Sequence, residues 1–343
     1  MTISVIVPTY NRADLLPGTL DAIFTQTLPP DEVIVVDDGS QDATSALLQR
    51  YAPRVRAIRI ANSGDLVARN TGLRAASGDL VSFCDSDDLW RPGFLKAMAA
   101  LWRAEPRLKA ACGNFVVIRD GSWEAEDKFS GAPAGFWDGL RQVGPDLAVF
   151  DQPVIERLVR FQPFFPSALV ADRAFFLGLG GWDEAVTRMV GTDFATILRL
   201  AEHSPIGVLQ HPLVGIRKHT GNFSADVQAM NLGDARILEH VLATRPSLAP
   251  YRSIIQDSVT TRRRHAFDTA FARRDFDGVT SIYRLLPASA RSFAIHFKHT
   301  VARLPAGMRD ATASLLLVAG SLRSRRHPAT GAADTSGPTR ASG

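Results

Sequence analysis

The sequence predicts an α/β fold built on a mainly parallel sheet flanked by helices, and three observations carry that expectation. Over the first hundred residues short apolar runs alternate with segments of helical spacing, the rhythm of successive βαβ units. At 343 residues and 45% hydrophobic composition the chain has material for one large domain core and a smaller C-terminal part. The chemically unusual residues fall just after the apolar runs, where open α/β sheets place their ligand crevice.

Ile3–Val7 is apolar almost throughout, as befits a strand buried on both faces of a parallel sheet. A helix follows around Leu15–Thr25, then a strand at Asp31–Val36, a helix around Ala43–Tyr51, a strand at Val55–Ile60, a helix around Leu66–Ala76 and a strand at Leu80–Cys84. The strand C-termini of such a series collect at one edge. A further helix begins near Trp90-Arg91-Pro92. Between about Gly121 and Gly144 the periodicity lapses into Gly, Pro and Trp, which predicts an inserted loop.

Beyond that loop, a short helix and a Pro-bounded turn at Glu156–Phe165 lead to a strand at Ser167–Val170 and a turn at Gly180–Glu184. Phe194, Ile197, Leu198 and Ala201 recur at helical spacing, so Thr192 or Asp193 stands at a helix start. Leu213–Ile216 reads as a strand. Helical patterns with basic interruptions run from about Leu232 to Arg326, and the Ala, Gly, Thr, Ser and Pro composition from His327 predicts a disordered tail. The expected organisation is an α/β domain over 1–225, a basic helical extension over 226–326 and a tail over 327–343.

Cys84 and Cys112 are the only cysteines, which argues against a disulfide framework or a thiolate metal site and is compatible with a reducing compartment. The first residues enter a strand without a basic region or a signal-type apolar stretch. No window approaches the roughly 20 apolar residues that span a bilayer. The net charge is +4, yet Arg262-Arg263-Arg264, Arg273-Arg274 and Arg323, Arg325 and Arg326 all lie beyond residue 260. Such clusters suit anionic head groups, an acidic partner or nucleic acid, and a solvated helix face is the plainer account. The expectation taken from them is a cytoplasmic protein with a peripheral membrane contact through this basic region and no nucleic-acid partner.

Four loops at predicted strand ends carry the chemistry: Pro8-Thr9-Tyr10-Asn11-Arg12, Asp37-Asp38-Gly39-Ser40, Ala61-Asn62-Ser63-Gly64 and Asp85-Ser86-Asp87-Asp88. In extended chain Asp85 and Asp87 share one side, and a tight turn brings Asp88 near. A hard divalent cation such as Mg2+ or Mn2+ relieves the repulsion of packed carboxylates. A solvated acidic turn capping the next helix accounts for the same residues without a ligand.

The first, second and fourth of these loops, together with Gln26-Thr27, Ala68-Arg69-Asn70-Thr71-Gly72, Gly180-Gly181-Trp182-Asp183-Glu184 and Arg217-Lys218-His219-Thr220-Gly221-Asn222-Phe223-Ser224, resemble the inverting glycosyltransferases of family 2, whose catalytic domain has the GT-A fold. The resemblance spans roughly Ile3 to Ser224. It implies a transferase that moves a sugar from a nucleoside-diphosphate donor, a UDP-sugar foremost, to a hydroxyl of a glycan, lipid-linked or small-molecule acceptor. By the same resemblance Pro8, Thr9, Tyr10, Arg12, Asp38, Asn62, Arg69 and Asp85 line the donor nucleotide, with Arg69 reaching the diphosphate. Asp87 and His219 would hold Mn2+ or Mg2+, and Gly181, Trp182, Asp183 and Glu184 would form the loop near donor sugar and acceptor, Trp182 as an acceptor platform. Asp193 would be the catalytic base. Relatives carry a Glu-Asp pair here and this chain carries Thr192-Asp193, so one acid is replaced.

Two other readings remain. The replaced acid fits a sugar-nucleotide-binding protein with impaired turnover. A nicotinamide-dependent dehydrogenase is disfavoured because the first strand leads into Pro8-Thr9-Tyr10-Asn11 with no Gly-x-Gly-x-x-Gly turn.

Overall fold

A computed structural model describes residues 1–187, 189–218 and 226–326, with side chains through residue 316. The described chain divides into two compact units, one of residues 1–226 with 233–259, the other of residues 227–232 with 260 onward.

The first unit opens with β1 (Ile3–Thr9), α1 (Leu16–Phe24), β2 (Glu32–Asp37), α2 (Thr44–Tyr51), β3 (Arg56–Arg59), α3 (Asp65–Ala75) and β4 (Leu80–Phe83). It continues through β5 (Leu89–Trp90), α4 (Phe94–Ala104), β6 (Ala110–Arg119), β7 (Ser122–Asp127), β8 (Arg141–Gly144), β9 (Leu147–Phe150), α5 (Ile155–Arg160), β10 (Leu169–Asp172), α6 (Arg173–Gly178), α7 (Asp193–Ala201) and β11 (Ile206–Lys218). Among the described residues these strands form one 11-stranded sheet ordered β3-β2-β1-β4-β10-β6-β11-β9-β8, with β5 on β11 and β7 on β6. The first four strands of that order are parallel, as predicted. Beyond them β10 runs antiparallel between β4 and β6, while β11 is parallel to β6.

The alternation of side chains along β1 sorts the two cores. Val5 and Val7 pack on one face with Leu16, Leu20, Phe94 and Met98. Ile6 faces the other side with Leu66, Leu73, Phe83, Trp182 and Phe194. Gly72 sits where α3 presses on β1; a Cβ there would collide with Ile6. That close approach seats α3, which carries Arg69, directly against β1.

Two sequence expectations are corrected. The stretch 121–144 is not a plain loop: it contains β7 and β8 around a turn of 3-10 helix at Phe129–Gly131. Its Trp and Phe residues explain the difference, since Phe129, Phe136 and Trp137 stack into an aromatic cluster that buries Phe129 and Phe136. The helix expected near Trp90-Arg91-Pro92 begins at Phe94, because Leu89 and Trp90 pair with β11 as β5.

The helices α8 (Val227–Thr244), α9 (Arg252–Ala272), α10 (Phe276–Leu285), α11 (Phe293–Ala302) and α12 (Ala306–Arg326) follow. The second unit has its own core, in which Phe267, Phe271, Phe276, Val279, Ile282, Leu286, Ile295 and Val301 meet. Asp275 caps α10 by accepting from the Gly278 N–H at 2.9 Å. Among the described residues no helix is long and apolar enough to cross a membrane. The tail from His327 lies outside the described residues.

Candidate active site

The first two loops are stitched together by their own backbones. Thr9 ends β1, and its carbonyl accepts the Asp38 N–H at 2.8 Å. Asn11 turns the chain with φ 50°, placing its N–H on the Ser40 hydroxyl at 2.9 Å and its amide oxygen under the Gln41 N–H at 2.7 Å. Asp37 is buried and buttresses the loop: it accepts from the Ser40 N–H at 2.8 Å and from Arg59 at 3.1 Å. Pro8 is buried within β1, Thr9 is buried beside it, and Tyr10 projects outward at 43% exposure.

Asp38 is the hinge between the second and third loops. Its two carboxylate oxygens accept the N–H groups of Ser63 at 2.7 Å and Gly64 at 2.9 Å, which satisfies the entry of α3. Asn62 lies exposed on that loop, close enough to Gly39 that a Cβ on the glycine would stand 2.9 Å from the Asn62 backbone nitrogen. The carboxylate assigned from resemblance to a base edge thus has a structural task in its own right.

The acids after β4 face in different directions. Asp88 is buried, accepting the Ser167 hydroxyl at 2.5 Å and the Arg217 N–H at 2.9 Å. Burial, with Asp87 and Asp85 nearby, pushes its carboxyl well above the usual range. Asp85 accepts one guanidinium nitrogen of Arg69 at 2.6 Å, and its N–H donates to Ser167 at 3.0 Å. Asp87 lies 3.8 Å from the Arg12 guanidinium, which joins the first loop to the fourth. Burial raises the Asp85 carboxyl, Arg69 opposes that, and Asp87 adds to it.

Arg69 differs from expectation. Its guanidinium is buried, divided between Asp65 on its own helix and Asp85, and lies over the Trp182 ring at 5.0 Å. Burial disfavours its charge, but Asp85 and Asp65 more than compensate, so it is held firmly cationic. Both of its terminal nitrogens rest on carboxylates, those of Asp65 and Asp85.

The Gly181–Glu184 loop is also partly reassigned. Trp182 is 1% exposed and packs edge-on against Phe83 and Phe176, so it presents no platform to an acceptor; the large indole is drawn into the core beneath Arg69. Asn70 clamps the loop, accepting from the Trp182 N–H at 2.7 Å and donating to the Trp182 carbonyl at 2.9 Å and to Glu184 at 2.7 Å. Asp183 pairs with Arg245 at 3.0 Å and lines a separate cleft of about 510 Å³ with Arg199, His203 and His240.

Asp193 opens α7 as the sequence predicted, with Thr192 before it. Gln162 donates to its carboxylate at 3.2 Å. Burial, opposed by Arg69 and assisted by Asp234, raises its pKa to about 7. Arg69 therefore acts electrostatically on both Asp85 and Asp193, and the three come from α3, the end of β4 and the start of α7. Gln162 and Ser167 went unmarked in the sequence. They belong to one Pro-rich strap whose residue types, taken singly, carry no signal.

For a divalent cation the structure offers the Asp87 carboxylate and the second oxygen of Asp85, hard donors suited to Mg2+ or Mn2+. Among the described residues no group of three or more His, Cys, Asp or Glu is gathered as a metal cage. His219 lies outside the described residues, as do Thr220–Ser224.

Parallel strands β3-β2-β1-β4 with an acidic edge at their C-termini, extended by a mixed second half, define the chain as a GT-A glycosyltransferase fold. It superposes on the crystal structure of S. aureus TarS 1–349 in complex with UDP-GlcNAc at a TM-score of 0.61, covering 88% of this chain and 90% of that one at 18% identity. Mannosyltransferase PcManGT from Pyrobaculum calidifontis, in complex with GDP-Man and Mn2+, matches at 0.52 over 95% and 81% with 21% identity. The model of glycosyl transferase family 2 matches residues 4–161, a little under half of the chain.

Among curated relatives, TuaG of Bacillus subtilis (strain 168), a glycosyltransferase assigned by its description to teichuronic acid biosynthesis, is 36% identical over 135 residues, 38% of this chain and 53% of that protein. Validoxylamine A glucosyltransferase of Streptomyces hygroscopicus subsp. limoneus is 28% identical over 270 residues, 72% of this chain and 58% of its own length. The matched regions thus span little more than half of either relative.

Proposed function

We propose that this protein transfers a sugar, with inversion, from a nucleoside-diphosphate donor to a hydroxyl of a glycan, lipid-linked or small-molecule acceptor. The observation that carries the reading is the Arg69–Asp85 ion pair at one sheet edge, with Asp193 within electrostatic reach of Arg69 and the Asp193 pKa raised to about 7. A general base works best when its pKa lies near the working pH. In the proposed reaction the acceptor oxygen attacks the anomeric carbon, the bond from that carbon to the diphosphate oxygen breaks, the electron pair leaves with the nucleoside diphosphate, and Asp193 takes the acceptor's proton.

The stitched loops after β1 and β2 and the segment pinned by Asp38 hold the nucleotide. Arg69 aims Asp85 at ribose or sugar hydroxyls. Asp87 and Asp85 would hold a divalent cation, with His219 as the further ligand proposed from the sequence, and the cation would supply Lewis-acid stabilisation to the departing diphosphate. TarS is described with UDP and UDP-GlcNAc and PcManGT with GDP-Man and Mn2+, which supports a nucleotide-sugar donor and a metal; we take the base here as uracil. The relation to TuaG favours an envelope polysaccharide as acceptor.

Thr192 in place of an acid supports a second reading, a donor-binding protein with little turnover. Titration calorimetry with UDP and GDP, with and without Mn2+, on the wild type and Asp87→Ala tests donor and metal together. Metal-dependent binding of UDP that the variant loses agrees with the proposal; binding of neither nucleotide overturns it. Donor binding without hydrolysis or transfer in the same samples selects the second reading.

A further inference from the structure

Phe293 and Phe297 stand one turn apart on α11 and are turned to solvent, 86% and 42% exposed, with rings 6.2 Å apart and nearly parallel. Two aromatic side chains displayed together on one helix face are not the ordinary scatter of surface apolar residues. Leu285, Met308 and Leu315 of the same unit are also exposed, at 43%, 61% and 72%. Ile295 and Ala302, which help close this unit's core, lie on the side of α11 opposite Phe293 and Phe297, while Val301, one turn beyond Phe297, is buried.

The charge around the outward face of Phe293 and Phe297 is mainly basic, although Lys298 of α11 is paired with Asp268 at 2.6 Å. His296 lies between the two rings in sequence, Arg284 and Arg303 are exposed on the flanking segments, and Arg291 is stacked on Tyr283. Tyr283 in turn stacks on His299 at 3.8 Å. Burial together with Arg303, His296, Arg284 and Arg291 lowers the pKa of His299, which places these groups within electrostatic reach of α11. Between residues 260 and 326 the sequence holds 13 Arg and Lys against 4 Asp, while the whole chain is only +4, so the first 259 residues are net acidic.

We propose that the α11 face of Phe293 and Phe297 is a docking surface for an anionic lipid bilayer, the rings entering the interface and the surrounding arginines meeting the head groups. Aromatic side chains with cationic neighbours are the composition that holds a helix in the membrane interface without spanning it. The basic clusters in the sequence suggested such a contact; the exposed rings give it an aromatic anchor, at residues the sequence pattern did not single out. The inference stands apart from the sugar-transfer reading.

The test is flotation of the full chain with vesicles of phosphatidylglycerol and phosphatidylcholine and, separately, of phosphatidylcholine alone, for the wild type and the double variant Phe293→Ser, Phe297→Ser. The expected result is wild-type binding to the anionic vesicles, weakened by added salt. The double variant should bind at least roughly tenfold more weakly, the change that withdrawal of partly buried rings implies. Phe293 is 86% exposed and Phe297 42%, so a cooperative melting transition of the variant confirms that it is folded before flotation is compared. Failure of the wild type to float, equal flotation of the variant, or equal binding to pure phosphatidylcholine overturns the proposal. Lipid-free dimerisation that the variant abolishes, seen by light scattering, also overturns it and assigns the face to a second copy of the chain.

Discussion

Ser167 is the latch of Asp88: its hydroxyl donates to the buried carboxyl at 2.5 Å while its oxygen accepts the Asp85 N–H at 3.0 Å. One small side chain thus holds two members of the acidic turn, and the Arg217 N–H closes Asp88 from the other side at 2.9 Å. Ser167→Ala leaves a buried acid short of a partner, at a cost of about 1–3 kcal/mol. Denaturant unfolding should show that loss. Transfer should fall as well, because Asp85 loses the bond that fixes its backbone; a variant with wild-type stability and rate would show that the latch has no part in the turn.

Asp193 sets the expected pH dependence. With its pKa raised to about 7 by burial, the base form grows as pH climbs, so kcat/KM should rise through a midpoint near 7 and level off above it. The linkage to stability has the opposite sign. A carboxyl whose folded pKa exceeds its unfolded value stabilises the fold fully below the unfolded pKa, and that contribution is lost as pH rises from about 4 toward 7. Asp193→Asn should therefore cost roughly 10²–10⁴ in rate while making the melting temperature less sensitive to pH over that interval. Gln162 donates to the carboxylate at 3.2 Å and so favours the charged form. Gln162→Ala should shift the kinetic midpoint upward. An unmoved midpoint in both variants would remove Asp193 from the role of base.

What was legible in the sequence follows a physical division. The parallel strands β1 to β4 were readable because strands buried on both faces are written as continuous apolar runs, and Asp193 was readable as a helix start from the spacing of Phe194, Ile197 and Leu198. In the second half of the sheet Ser167–Val170 and Leu213–Ile216 were readable as strands, but their partners were not. Strand β10 owes its place between β4 and β6 to long-range pairing that leaves no local mark. The roles of Trp182, Arg69 and Ser167 depend on partners up to about a hundred residues away, such as the Asn70 amide that clamps Trp182. Motif spacing locates these side chains on loops and leaves open which way they turn.

Gly181 shows how tightly that turning is controlled. Its φ of 69° is left-handed, and a Cβ would run into the Asn70 amide oxygen that receives the Trp182 N–H. Gly181→Ala combines backbone strain with the loss of the clamp and should destabilise the protein by about 1–3 kcal/mol. Thermal unfolding would register it. Near-UV circular dichroism should change too, since Trp182 is seated between Phe83 and Phe176; an unaltered spectrum would mean the indole does not depend on this turn.

Asp38 separates two ways of recognising a nucleotide. If its carboxylate reads the base, Asp38→Asn should change the preference between UDP and GDP. The geometry favours the other outcome. Both oxygens are engaged by the Ser63 and Gly64 N–H groups, so the carboxylate shapes the pocket wall and the entry of α3. Asparagine keeps one acceptor oxygen and should lose about half of that support; alanine keeps none and strands two N–H groups, at roughly 2–4 kcal/mol. UDP and GDP affinities should then fall in parallel, more for Asp38→Ala than for Asp38→Asn, with unfolding free energy falling in the same order. Calorimetric titration of both nucleotides against both variants decides it, and a reversal of nucleotide preference without loss of stability would return Asp38 to direct contact with the base.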